Sequence, residues 1–182
     1  MGRDRQILDS AAEAFYEKGF HGVGVDELGV RAGLSGPSLY RHFSGKDEIL
    51  ATLLNEAMDE LMSATLTVHG DPRENLDRAI AHHIDFAVKH RHLVSLYQRE
   101  VGALVDPWRK AFTRRRAQYS EKWEGLFRAR YPSLDKTTAA TVSQACLGTI
   151  FSVALWPGRT AHESHVPELL DQLLHQGFAS LE

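Results

Sequence analysis

The sequence predicts an all-α chain of about nine helices, arranged as a three-helix N-terminal domain and a longer helical C-terminal domain. Three observations predict it. Apolar residues recur at helical spacing along nearly the whole chain, period-2 alternation bounded by turn residues is missing, and glycine and proline signals stop one segment and open the next. With 182 residues, 43% of them hydrophobic and 25% charged, the composition is that of an ordinary folded protein, large enough for one long domain or two small ones. The single cysteine, Cys146, excludes an internal disulfide framework and a cysteine-based zinc site. A net charge of -3 argues against a protein that coats nucleic acid through positive charge alone, so any such contact must be local.

The first helix carries Ile7, Leu8, Ala11 and Phe15 on one stripe, and Gly19 followed by Phe20 is a glycine stop with an apolar residue beyond it. The second runs from about Val25 to Ala32, with Gly24 as its N-cap and Asp26 and Glu27 in the first turn, where the helix dipole favours acids. It stops at Gly33. The third is predicted from about Gly36 to His42, with Ser35 or Gly36 as the cap and Pro37 in the first turn, where a missing N–H costs nothing. The fourth begins near Lys46 and keeps an apolar stripe through Leu50, Leu53, Leu54, Ala57, Met58, Leu61 and Met62 to Leu66, until His69, Gly70 and Asp71 break it.

Asp71-Pro72-Arg73-Glu74 reads as N-cap, N1 proline and N3 glutamate, opening a fifth helix with Leu76, Ala79, Ile80 and Ala87 on one face. A short sixth helix surrounds Leu93 to Gln98. Asp106-Pro107 caps a long seventh bearing Trp108, Phe112, Tyr119, Trp123 and Phe127. After Pro132 an eighth carries Val142, Ala145, Cys146, Ile150 and Val153 and ends at Pro157-Gly158. The ninth has Val166, Leu169, Leu170, Leu173, Leu174, Phe178 and Leu181 on a wide apolar stripe.

Two short helices joined by Gly33-Leu34-Ser35 describe a helix-turn-helix, whose second helix enters a major groove of DNA. Leu39 and Phe43, spaced i,i+4, anchor that helix inward and leave Gly36, Pro37, Ser38, Arg41 and His42 on other faces, small or hydrogen-bonding groups suited to phosphate and base contact. Ser35 stands at its entry. Arg31, Arg41 and Lys46 form a basic island, since the first acid after Glu27 is Asp47.

At these residues the chain resembles the TetR/AcrR family of one-component bacterial regulators. The stretch that carries the likeness is Ile7, Ala11, Phe15, Gly19-Phe20, Leu28, Ala32-Gly33-Leu34-Ser35, Ser38-Leu39-Tyr40, His42-Phe43 and Lys46, about the first 50 residues; beyond it the likeness lies in helix order. Gly24 and Gly45 stand where the family usually has hydroxyl or other capping residues, and Pro37 where glycine is common. The resemblance implies a homodimer that binds double-stranded, palindromic operator DNA and a C-terminal domain that binds a small-molecule effector, most commonly to repress transcription. It also implies that Ser38, Tyr40 and His42 contact DNA, mostly its backbone, and that Lys46 holds a phosphate. The expected division is a DNA-binding domain over 1–47 and a ligand-binding and dimerisation domain over 48–182.

In the C-terminal domain Met62, Leu66, Phe86, Tyr97, Trp108, Phe112, Tyr119, Trp123 and Phe151, with Cys146 on the eighth helix, are candidates to line an apolar ligand cavity; each alone also reads as plain core. The segment from Trp108 to Tyr131 holds eight basic residues against Glu121 and Glu124, a net of +6. It is either a solvated face paired with acids elsewhere or the place where Arg115, close in phase to Phe112 and Tyr119, meets an anionic or acyl-type ligand. Small residues on the eighth helix (Ala145, Gly148, Thr149, Ser152) and the leucine stripe of the ninth suit an isologous four-helix interface, hence a homodimer.

Other classes are weighed on the same residues. His82-His83, His90 and His92 invite a metal site, but adjacent histidines point to different sides of a helix and His90 and His92 flank a break; His162, Glu163 and His165 lie in a loop where two imidazoles and a carboxylate could hold a surface metal, and no cofactor is expected. No nucleophile elbow, phosphate loop or paired catalytic carboxylates point to an enzyme. A helical metal-binding or adaptor protein without operator binding is the remaining alternative. The amino terminus runs directly into a helical pattern, and the longest apolar stretch, near Cys146 to Trp156, is read as too short to span a bilayer. A cytoplasmic protein with no targeting segment and no membrane partner is therefore expected.

Overall fold

The computed structural model describes residues 2–66, 70–161 and 163–181. Among them every regular element is helical: α1 (Arg3–Lys18), α2 (Val25–Arg31), α3 (Gly36–Leu39), α4 (Lys46–Leu66), α5 (Pro72–Lys89), α6 (Arg91–Glu100), α7 (Trp108–Arg130), α8 (Lys136–Ser152), α9 (Gly158–Ala161) and α10 (Val166–Phe178), with 3-10 turns at Val101–Ala103, Val153–Leu155 and Ala179–Leu181. The all-α expectation holds.

Most boundaries follow from the caps. Gly19 ends α1 at φ 74°, a left-handed conformation that glycine adopts without strain, and its N–H donates to Phe15 O at 2.9 Å. Gly33, at φ 65°, turns the chain between α2 and α3. Asp71 accepts a bond from Arg73 N ahead of Pro72, so α5 starts where its cap predicts. At α4 the cap position is Gly45, which has no side chain; Glu48 reaches back instead to accept from Ser44 N at 2.6 Å.

Four expectations need correction. α3 stops at Leu39 instead of His42, because Arg41 N and His42 N bond to the carbonyls of Ser38 and Leu39, three residues back, and the chain tightens out of α geometry. α6 runs longer than Leu93 to Gln98. The α8 stretch ends at Leu155 with Trp156 extended ahead of Pro157, as expected, but the Pro157 carbonyl also accepts from Thr160 N and Ala161 N and so starts α9, which makes α10 the helix expected as the ninth. Finally, Lys136–Leu155 is a continuous helical stretch holding an 18-residue window of mean hydropathy 1.4, long and apolar enough by length and composition alone to cross a membrane, so the apolar run extends well before Cys146. Here that helix packs against α5 and α10.

The chain forms two compact units. The first comprises Met1–Met58 and His92–Arg114, the second Asp59–Arg91 and Arg115–Glu182. In the first, α1 and α2 pack together, α2 packs on α3, and Ile7, Phe15, Phe20, Leu28, Leu39 and Ile49 are buried. Each such side chain contributes about 1.5–3 kcal/mol by leaving water. In the second, α5 is the central element, packed on α8 and α10, with Leu76, Ile80, Ile84, Trp123, Phe127 and Ile150 in the core. Phe127 meets Phe178 of α10 edge-on, ring centroids 5.1 Å apart. Arg91 donates to the carbonyls of Val153 (3.1 Å) and Trp156 (2.6 Å), closing the end of the α8 stretch.

Candidate nucleic-acid interface and buried polar core

The helix-turn-helix is held from inside by apolar side chains. Leu39 is fully buried and Phe43, past the end of α3 with its N–H on Leu39 O at 3.1 Å, nearly so, and both belong to the core under α2 and α3. Ser35 O receives the first bonds of α3, from Ser38 N and Leu39 N, which makes Ser35 the N-cap. Gly36 opens the helix. Ser35, Pro37, Tyr40, Arg41 and His42 are exposed and Ser38 is half-buried; Tyr40 keeps 56% of its surface.

The three charges of the basic island have different fates. Arg31 lies between two acids, Nη2 2.8 Å from Glu17 and Nε 3.1 Å from Glu27. The hydrogen bond to Glu17, with the Glu27 bond adding to it, raises its pKa, while Lys18, at 2.6 Å, is the main cause that lowers that of Glu27. Lys46 turns inward: Nζ donates to Phe20 O (3.1 Å) and Val23 O (3.0 Å) and sits 4.5 Å from the centre of the Phe20 ring. It ties the loop between α1 and α2 to the start of α4. Arg41 alone of the three stands in solvent, bonded to Ser38 Oγ at 3.3 Å, with no acid at ion-pair distance among the described residues. His42 is met by Asp4, Nδ1 to Oδ1 at 2.6 Å, a partner that its sequence distance hides.

The ligand candidates divide between the units. Tyr97, Trp108 and Phe112 belong to the first, where the rings of Tyr97 and Phe112 stand 6.1 Å apart. Met62, Phe86, Arg115, Tyr119, Trp123, Cys146 and Phe151 belong to the second, and Leu66 contributes only its backbone to the description. Of these, Tyr119, Trp123 and Phe151 come together around His83, with ring centroids 5.8, 4.8 and 6.5 Å away. Arg115 is paired with Asp59, and Arg109 and Lys110 pair with Asp106 at 3.3 and 3.0 Å, so these three of the eight basic residues have acids beside them. Burial pushes the Cys146 thiol up to about 12, so it is an inert core group.

His83 is the residue that reading by composition misses. It is 0% exposed. Its place was visible in the helical phase, because 76, 80, 83 and 87 fall on one stripe of α5, whereas its neighbour His82 faces elsewhere and contacts Glu60 O at 3.1 Å. Burial holds the His83 pKa down, from the usual 6.5 to about 3, so the ring is neutral. Its Nε2 and the Nε1 of Trp123 are buried without a hydrogen-bond partner among the described residues. A buried polar atom left so costs about 1–3 kcal/mol. A cavity of about 250 Å³ elsewhere in this unit is lined by Thr65, Asn75, Lys122 and Leu126. Among the described residues no cluster of three His, Cys, Asp or Glu could hold a metal; His162 lies outside them.

A helix-turn-helix presented at the N-terminal end of an all-helical chain, followed by a separate helical unit with its own core, defines a DNA-binding regulator of the two-domain kind. Residues 7–53 match the family described as bacterial regulatory proteins, tetR family, and residues 69–158 match a tetracyclin repressor-like C-terminal domain. The chain belongs to the TetR family of DNA-binding transcriptional regulators.

Among its relatives, the chain is 39% identical over 87 residues to the HTH-type transcriptional activator FasR of Mycolicibacterium smegmatis, a match that covers 46% of this chain and 40% of that protein. It is 28% identical over 132 residues to the HTH-type transcriptional repressor KstR2 of Rhodococcus jostii, covering 70% of this chain and 65% of that one. The matched part thus spans less than two thirds of either relative. Two solved structures share the fold: AibR in complex with isovaleryl coenzyme A and operator DNA (TM-score 0.81, 19% identity, 96% of this chain and 97% of that one). The other is the ketosteroid regulator KstR2 of Mycobacterium tuberculosis (TM-score 0.79, 23% identity, 99% and 93%).

Proposed function

We propose that the protein is a cytoplasmic, ligand-responsive repressor that binds a palindromic operator as a homodimer and is released by a small acyl-type effector. The observation that carries this is the outward face of the helix-turn-helix, where Tyr40 and Arg41 are exposed while Leu39 and Phe43 fix the helix from beneath. In this reading Ser35, Gly36, Pro37, Ser38, Tyr40, Arg41 and His42 meet the duplex, Arg41 carrying the free charge. Lys46 has three donors and spends two on carbonyls, so the third serves a phosphate. Arg31 acts by bracing α2 through its two acids.

Residues 1–47 then form the DNA-binding domain and 48–182 the effector and dimerisation domain. Dimerisation through α8 and α10 is supported by an apolar groove of about 320 Å³ lined by Val142, Ala145, Leu173 and Leu174, and by Leu169 and Leu173, 42% and 54% exposed. The acyl class of effector is supported by the structural likeness to a regulator solved with isovaleryl coenzyme A. α4 has residues in both units. An effector that favours one position of α4 changes the spacing of the two recognition helices, which must match turns of DNA about 34–36 Å long.

Selection of bound sequences from random double-stranded DNA, followed by release with short-chain acyl thioesters, tests the reading. Enrichment of an inverted repeat, and its release by an acyl thioester, is the expected result. Recovery of no sequence preference would overturn it.

A further inference from the structure

His83 Nε2 and Trp123 Nε1 are fully buried side-chain atoms that lack a hydrogen-bond partner among the described residues, and folded proteins keep few such atoms without a use for them. Their chemistry is opposite. His83 Nδ1 lies 2.6 Å from Ala79 O, and since a carbonyl only accepts, Nδ1 carries the hydrogen. The neutral ring therefore leaves Nε2 as a bare acceptor. Trp123 Nε1–H is a donor and nothing else. The two rings meet edge-on at 4.8 Å, with Tyr119 and Phe151 closing the aromatic wall around His83.

We infer that His83 and Trp123 are the polar anchors of the effector site and take an uncharged group that both donates and accepts, a hydroxyl or an amide, on an otherwise apolar molecule. The hydrogen of that group goes to His83 Nε2, and its oxygen receives Trp123 Nε1–H. This rests on reading the C-terminal domain as the effector domain, and it requires the acyl-type effector to present a hydroxyl or an amide there, because a thioester group brings no hydrogen to Nε2. A carboxylate does not fit: it brings no hydrogen to Nε2, and it would need a protonated His83, which burial opposes. Nor does Arg115 offer a carboxylate an open charge, because Asp59 already meets it. Since both anchors are buried, an entering molecule parts the side chains around them, and the two hydrogen bonds it forms favour that opened arrangement over the closed one.

The test uses the full chain with Trp108→Phe and Trp156→Phe, so that Trp123 alone fluoresces, titrated with 1-decanol, decanamide, decyl methyl ether and decanoate at neutral pH. The alcohol and the amide should bind at least about tenfold more tightly than the ether and the carboxylate. Nitrogen-15 NMR should show the His83 Nε2 resonance move when decanol binds. His83→Phe should keep the fold, melt no lower than its parent and lose the preference; Trp123→Phe, followed by calorimetry and NMR, should lose the accepting half of it. Equal affinity for the four probes, binding of none, or an unmoved Nε2 resonance overturns the assignment. If His83→Phe still releases operator normally with decanol or decanamide, the anchors fall and the effector reading stands. If decanol moves Nε2 but no compound releases operator, the effector reading falls instead.

Discussion

In the helix-turn-helix the apolar side chains, Leu39 and Phe43, are buried and the polar ones, Tyr40 and Arg41, stand in water; around His83 the order is inverted, with polar atoms sealed inside an aromatic wall. In the proposed reading the contrast reflects two kinds of partner. Exposed donors wait for a large charged partner at little cost, because water satisfies them meanwhile. Buried ones carry a standing cost unless a partner reaches them in the core, which in the proposed reading suits a small and largely apolar molecule.

The contrast breaks first, and hardest, in the core. Trp123→Ala should lower stability by about 3–5 kcal/mol through lost packing and the cavity left behind. Thermal unfolding measures it, and the folded fraction should still bind operator. Acid comes next. In the unfolded chain His83 takes up a proton near pH 6.5, in the folded chain only near 3, so its contribution is complete above 6.5 and is lost as pH falls toward 3. The loss is about 1.4 kcal/mol for each pH unit in that window. Denaturant unfolding of the wild type against His83→Phe should show the wild type falling more steeply there.

On the exposed side the effect moves from stability to binding. Arg41→Ala should weaken operator binding about tenfold and reduce its salt dependence, with the melting temperature unchanged. Arg31→Ala should change affinity less than about twofold, because its guanidinium already serves Glu17 and Glu27. Equal losses at the two arginines would mean that charge counts more than placement. The smallest change is expected at the α5 cap, where Asp71→Ala should cost about 1 kcal/mol in urea unfolding, by removing the acceptor of Arg73 N, and leave operator binding intact.

Much of the fold is legible in the chain because helix ends are local events. Gly19, Gly33 and Asp71-Pro72 act through their own backbone geometry or through an N–H two residues away, so the sequence window that names them also contains their partners. The inward pair Leu39 and Phe43 is legible from its i,i+4 spacing even though Phe43 lies past the end of α3, because Phe43 N still bonds to Leu39 O. The end of α3 and the start of α9 are not, since a switch from bonds four residues back to bonds three back leaves no mark in residue types. In the candidate site, counting charges found the basic island but not that Glu17 lies across from Arg31 or that Phe20 and Val23 draw Lys46 inward. Those partners lie 14 to 26 residues away in the chain.

By itself the sequence determined the helical class, the order of the elements, the helix-turn-helix and the family likeness of its first 50 residues, all of which depend on periodicity, caps and spacing along one helix or one turn. Only the tertiary structure decided which charges remain free, that Arg115 belongs to Asp59, and that a histidine lying on an apolar stripe becomes a neutral, buried acceptor beside a buried tryptophan donor. The physical reason is range. A helix is specified by neighbours within a turn of it, whereas the protonation, burial and pairing of a side chain are specified by whatever the other helices bring against it.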